Sequence, residues 1–202
     1  MHPLLKTLAL AAALAAAACT TDGTTRPSQT EDRNANGFVI REDVSVRSGV
    51  RSDFEQAVQL LEQKQYDAGI ALLVQVTEAA PNLTSAHIDL AIAYEQVGDL
   101  VRAEASIKRA LDLSPRHPAA YNELGIIYRR TGRFQQARES YEKALELHPE
   151  FHFARRNLAI LCDVYMADLP CALQNYELYA QAVPDDASAA IWIADLHKRI
   201  GK

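Results

Sequence analysis

Pro118 to Phe151 reads PAAYNELGIIYRRTGRFQQARESYEKALELHPEF. Its apolar residues recur at steps of three and four, first through Tyr121, Leu124 and Tyr128 and then, past Gly132, through Phe134, Ala137, Tyr141 and Ala144. That period writes two amphipathic helices joined at the glycine. The small residues Gly125, Ala137 and Ala144 let the paired helices approach closely, and the larger Leu and Tyr side chains fill the space between them. Gly132 stands where the first helix must stop and turn, a place that often requires positive φ. Pro149 closes the second helix and fixes the direction of exit.

The stretch is one copy of a repeat. Pro81, Pro115 and Pro149 are 34 residues apart, and Pro184 follows 35 later. Leu90-Ala91, Leu124-Gly125 and Leu158-Ala159 superpose in this register, with Tyr94, Tyr128 and Cys162 four residues after each Leu. Gly98 coincides with Gly132, Ala103 with Ala137, Ile107 with Tyr141, and Ala110 with Ala144. A fixed period of this length marks a solenoid. The pattern resembles the tetratricopeptide repeat (TPR) family, which residues 118–151 match at nearly every signature position.

The resemblance implies an all-α fold, a TPR α-solenoid spanning residues 51–202, with repeats at about 50–83, 84–117, 118–151 and 152–186. The first block is degenerate: Tyr66, Gly69, Leu73, Val76 and Pro81 fit, but Gln56-Ala57 replaces Leu-Gly. A terminal repeat tolerates such drift because one face meets solvent. The fourth fits only with one residue inserted before Cys171. Residues 187–200 read as a capping helix, with Ile191, Ile193, Leu196 and Ile200 able to pack inward and Asp195, Lys198 and Arg199 outward.

In TPRs the first helices line a concave groove, and the residue two after the Leu of the Leu-Gly pair points into it. The resemblance places Val58, Ile92, Ile126 and Ile160 there, a stripe that either faces a partner or packs on the neighbouring repeat. Four residues earlier come Phe54, Ile88, Asn122 and Arg156, so the groove runs from apolar to basic, with Arg129, Arg130 and Arg155 nearby. The family's carboxylate clamp needs Lys and Asn in these pairs. Phe54 with Val58, Ile88 with Ile92, and Asn122 with Ile126 do not match it, which argues against a receptor for chaperone tails.

The beginning of the chain has a different character. MHPLLKTLALAAALAAAAC carries Lys6, an apolar run from Leu8 to Ala18 and small residues before Cys19. The run is too short to span a bilayer and has the anatomy of a signal peptide over residues 1–18. Ala16-Ala17-Ala18-Cys19 resembles a bacterial lipobox, which implies lipidation of Cys19 and, with Thr20 rather than Asp following, an outer-membrane protein facing the periplasm. The alternative is plain secretion. Residues 19–50 read as a polar tether that buries too little surface to fold alone. FVIREDVSV (residues 38–46) alternates in part and is open between an edge strand and packing on the first helix.

Composition narrows function. A formal charge of −5 gives no reason to expect nucleic-acid binding. Residues 53–113 carry ten acidic and four basic side chains, and residues 116–156 five acidic and eight basic. In a TPR hairpin the positions of Cys162 and Cys171 adjoin, which implies a disulfide in an oxidising exported compartment; the alternative is two small buried thiols. Their spacing does not suit thioredoxin-like redox chemistry. His117, His148 and His152 lie at block junctions without a completing ligand set, and no nucleophile elbow, phosphate loop or HExxH motif is present. No cofactor is expected. The reading is a non-catalytic scaffold or assembly factor of the bacterial cell envelope that binds a protein partner, set against an envelope hydrolase or metal-binding protein framed by the repeats.

Overall fold

A computed structural model describes residues 44–201. The expected signal peptide, the expected lipidation site Cys19 and most of the expected tether lie outside the described residues. The nine described helices run α1 Ser48–Glu62, α2 Tyr66–Ala79, α3 Thr84–Gln96, α4 Leu100–Leu113, α5 Pro118–Arg130, α6 Phe134–Leu147, α7 His152–Ile160, α8 Leu169–Ala182 and α9 Ala187–Ile200, with one π-helical turn, Leu161–Tyr165, continuing α7. The described end of residues 38–46 carries no strand, and Val44 packs against the core.

Helices pair as α1–α2, α3–α4, α5–α6 and α7–α8, and each hairpin packs on the next through α2–α3, α4–α5, α6–α7 and α8–α9. First helices also touch one another, α1 with α3, α3 with α5 and α5 with α7, whereas no pair of second helices among the described residues makes a comparable contact. A stack whose first helices lie closer together than its second helices curves around the first. α1, α3, α5 and α7 therefore form the concave wall.

The core follows the small-and-large rule of the sequence. Ala57, Leu73, Ala91, Ala103, Ile107, Ala137, Tyr141, Ala159, Cys162 and Ala172 are fully buried in one continuous cluster. A β-carbon built on Gly125 would lie 2.5 Å from the Tyr141 ring, so the glycine is the seat of that side chain.

The first helices of the first three hairpins end in the same turn. The N–H groups of Gln65, Asp99 and Arg133 donate to the carbonyls of Leu60, Tyr94 and Tyr128, five residues back, around Lys64 (φ 61°), Gly98 (φ 83°) and Gly132 (φ 75°). This is the Schellman closure, which needs one left-handed residue. In the fourth hairpin the equivalent bond, from Asp168 to Cys162, spans six, and Ala167 (φ 53°) takes the left-handed place. The inserted residue is absorbed by the π-helical turn, a common way for a helix to hold one extra residue. Cys162 and Cys171 are joined by a disulfide across this turn, with Cα atoms 5.9 Å apart.

Four second or first helices start on side-chain caps: Asp99, His117, Asp168 and Asp186 accept the N–H of Arg102, Ala120, Cys171 and Ser188. Burial pushes the His117 imidazole down to about 4, which keeps its Nδ1 able to accept.

The packing of α9 differs from the expectation. Leu196 is buried and Ile193 half-buried, but Ile191 and Ile200 are 69% and 45% exposed. The inward line runs instead through Ala189 and Leu196, seven residues apart, because α9 meets α8 along the line by which each first helix meets the preceding second helix.

Candidate partner-binding groove

The expected groove residues fall into two groups. Val58, Ile92, Ile126 and Ile160 are half-buried: each packs against the core on one side and keeps an accessible side on the concave wall. The packing alternative for the stripe therefore holds on one side of each residue, and the other side is left accessible. Ile88 and Asn122 were expected to face the groove and are instead buried. Asn122 accepts from the Asn157 amide at 2.9 Å across the α5–α7 contact and donates to Glu123 at 3.1 Å. Closure of the neighbouring first helix over these positions removes them from the accessible wall.

The arginines divide in the same way. Arg130 is held in an ion pair with Glu95 of the preceding hairpin. Arg199 repeats the arrangement two hairpins later, 2.6 Å from Asp163. Arg155 turns away and donates to the carbonyl of Pro149 at 2.9 Å. Arg129 and Arg156 are different: among the described residues, no carboxylate lies within ion-pair distance of either. The Arg129 guanidinium stands 5.7 Å from the Tyr165 ring, and that of Arg156 lies 5.5 Å from Phe153 and 5.8 Å from Tyr179. Their Nε atoms are buried without hydrogen-bond partners, as is the hydroxyl of Tyr141. Aromatic shelves hold the two planar cations while leaving their outer donors unspent, an arrangement suited to carboxylates.

Glu123 adds a titratable group beside them. Burial, with a smaller contribution from the nearby Glu95 carboxylate, raises its carboxyl to about 7, opposed by the hydrogen bond from Asn122. The acid least costly to this basic wall at neutral pH is thus partly uncharged.

Sequence reasoning missed Tyr165, Phe153, Tyr179, Glu95 and Glu123. Phe153 and Glu95 sit at recurring block positions on first helices, so the repeat register could have found them. Tyr165 falls inside the π-helical turn, where the register shifts by one residue.

A cluster with metal-ligand chemistry exists at the far edge of the fourth hairpin, where Cys162, Asp168 and Cys171 bring ligand atoms within 4.8 Å of one another. The disulfide ties up both sulfurs, and the Asp168 carboxylate accepts from the Cys171 N–H and from Arg138 at 3.0 Å. These groups cap a helix and staple a turn. Among the described residues no helix is long and apolar enough to cross a membrane.

Comparison with known proteins agrees with this architecture. The chain resembles solved structures of MamA (22% identity, TM-score 0.64, 72% of this chain and 84% of that one) and of PilF from Pseudomonas aeruginosa (20%, 0.68, 74% and 68%). It also resembles a chain of the Naa15/Naa10 complex bound to HypK-THB (25%, 0.60), covering 76% of this chain but only 23% of the other. No curated protein matches it. These neighbours share the fold, and the repeat itself is what points to a scaffold for protein interaction. The tetratricopeptide repeat model matches residues 54–118, 88–152 and 122–162, together more than half of the sequence, and the chain belongs to the tetratricopeptide repeat family.

Proposed function

We propose that this protein is a non-catalytic scaffold or assembly factor of the bacterial cell envelope, tethered to the outer membrane through a lipidated Cys19 and holding a partner protein in its concave groove. The observation that carries the reading is the pair Arg129 and Arg156, set on aromatic shelves beside the half-buried Ile126 and Ile160 with no carboxylate partner among the described residues. An extended or helical segment with apolar side chains along the isoleucine stripe and acidic groups opposite the arginines complements that wall. Apolar contact supplies most of the affinity, and the arginines supply orientation and a salt-sensitive on-rate. The envelope placement is supported by the apolar run ending at Ala18 before Cys19. The rival reading, an envelope hydrolase or metal-binding protein, needs convergent groups that the cysteine-rich edge does not offer while its sulfurs are joined.

The test is capture of envelope proteins by crosslinking to the full chain. Exchange of both Arg129 and Arg156 for Glu is expected to weaken capture of the specific partner about tenfold or more, equivalent to ~1.4 kcal/mol, with helicity and melting preserved. Undiminished capture by the folded double variant overturns the groove assignment. Cys19→Ser is expected to leave the membrane fraction; its full retention there overturns the anchor.

A further inference from the structure

We propose that α9 is the first helix of a fifth hairpin, and that its open face receives an amphipathic helix of a partner protein as the second helix. The proposal does not depend on the groove. The first helices α3, α5 and α7 each have two packing lines. One meets the preceding hairpin through the third and tenth residues of its block: Ala86 and Ala93, Ala120 and Ile127, Ala154 and Leu161, none more than 1% exposed. Ala189 and Leu196 hold these places in α9 and are as deeply buried, against α8.

The other line takes the hairpin's own second helix. It comprises Leu90, Ala91 and Tyr94 on α3, Leu124, Gly125 and Tyr128 on α5, and Leu158, Ala159 and Cys162 at the fourth hairpin, all buried. The matching residues of α9 are Ile193, Ala194 and His197. Ile193 is only half-buried, and Ala194 and His197 are exposed. Gly201 falls where Gly98 and Gly132 turn their chains, and exposed Ala190 and Ile200 lengthen the face at its two ends. Among the described residues no helix covers it.

The chain itself specifies the occupant, because this face continues an interface that the earlier hairpins fill. On α5 the small residue seats one large side chain of the second helix, Tyr141 on Gly125. Ile107 and Tyr176 hold the corresponding places on α4 and α8. Each has a small residue four positions before it, Ala103, Ala137 or Ala172, and a buried Ala110, Ala144 or Tyr179 three after. The partner helix therefore carries an aromatic or large aliphatic knob with Ala four residues before and a small or aromatic residue three after. Knob-in-hole packing of that pattern is what Ala194 offers.

The experiment uses the full chain and, as probe, a peptide copying Phe134–Leu147, stapled through its polar face to hold it helical. Trp192, the only tryptophan of the chain, lies on α9 with its ring 5.1 Å from Tyr176 and reports on the site. Saturable binding is expected, with hydrogen-exchange protection at α9. Ala194→Arg should weaken binding at least tenfold without lowering the melting temperature, since Ala194 is exposed. A probe with Ala in place of its tyrosine should also bind at least tenfold more weakly. The variant carrying Glu at positions 129 and 156 should bind the probe as well as the native chain does. Absence of saturable binding, indifference to Ala194→Arg, or protection at α5 or along the groove overturns the proposal. So does concentration-dependent self-association of the chain alone that Ala194→Arg abolishes, because it gives the face to a second copy.

Discussion

In the third hairpin, α5 ends at Gly132 in the left-handed region, Tyr128 stands four residues after Leu124, and Tyr141 rests on Gly125 with no β-carbon between them. In the fourth, Ala167 takes the left-handed place, Cys162 stands where the tyrosine was, Ala159 replaces the glycine seat, and a π-helical turn carries the extra residue. The third turn is shaped by residues that adopt it at little cost. The fourth has lost each of those residues and is held by a disulfide and by the Asp168 cap on α8. A covalent link and a cap can therefore stand in for turn glycine and aromatic packing within one repeat frame. Meanwhile the altered turn brings Tyr165 over Arg129 of the neighbouring hairpin, 5.7 Å away. The irregular hairpin thus supplies part of the candidate site.

The largest effect is expected where packing alone holds the pair. Tyr141→Ala removes a fully buried ring from its Gly125 seat and leaves a cavity that the helix backbones cannot close. The loss should be about 3–5 kcal/mol, measured by denaturant unfolding. A loss below that of reducing the disulfide would show that the third hairpin is not packing-dominated, and the contrast would fail.

The staple comes next. Cys162 and Cys171 close a loop with a sequence separation of nine. In the chain-entropy account such a loop is worth roughly 2–3 kcal/mol, chiefly by constraining the unfolded chain. Reduction should lower the melting temperature by several degrees, leave Tyr141→Ala about equally damaging, and expose α7 and α8 to hydrogen exchange before α5 and α6. Uniform loss of protection across all hairpins would mean that the staple serves the whole stack rather than one turn.

How much of this could be read from the residues follows the same division. The third hairpin was legible to the level of single side chains, because the 34-residue period places identical residue types at identical structural jobs. In the fourth, the inserted residue was visible but the π-helical turn was not, since sequence spacing does not say which backbone segment absorbs an extra residue. The groove was legible as a line and not as a surface. Ile88 and Asn122 share the line with Ile92 and Ile126, yet the adjoining first helix closes over the former pair, and residue type alone carries no sign of that closure. Arg130 looked as available as Arg129 because its partner Glu95 lies a full repeat away.

The smallest effect separates backbone from staple. Ala167 pays for its φ of 53° with a β-carbon close to the following carbonyl, a cost of about 1–2 kcal/mol for an L-residue. Ala167→Gly removes that cost but gives the unfolded chain more freedom, about 0.4–1 kcal/mol in the opposite direction. The net gain should be between zero and about 1.6 kcal/mol, with about 2–4 °C in melting temperature for each kcal/mol gained in a domain of this size. The reverse exchange, Gly132→Ala, should lose a similar amount, since no atom lies within 4 Å of the added β-carbon and only the φ opposes it. Both exchanges should then be measured with the disulfide reduced. If the Asp168-to-Cys162 closure sets the turn, Ala167→Gly gains as much in reduced as in oxidised protein. If the gain vanishes on reduction, the turn relaxes without the disulfide, and the left-handed alanine is imposed by the staple.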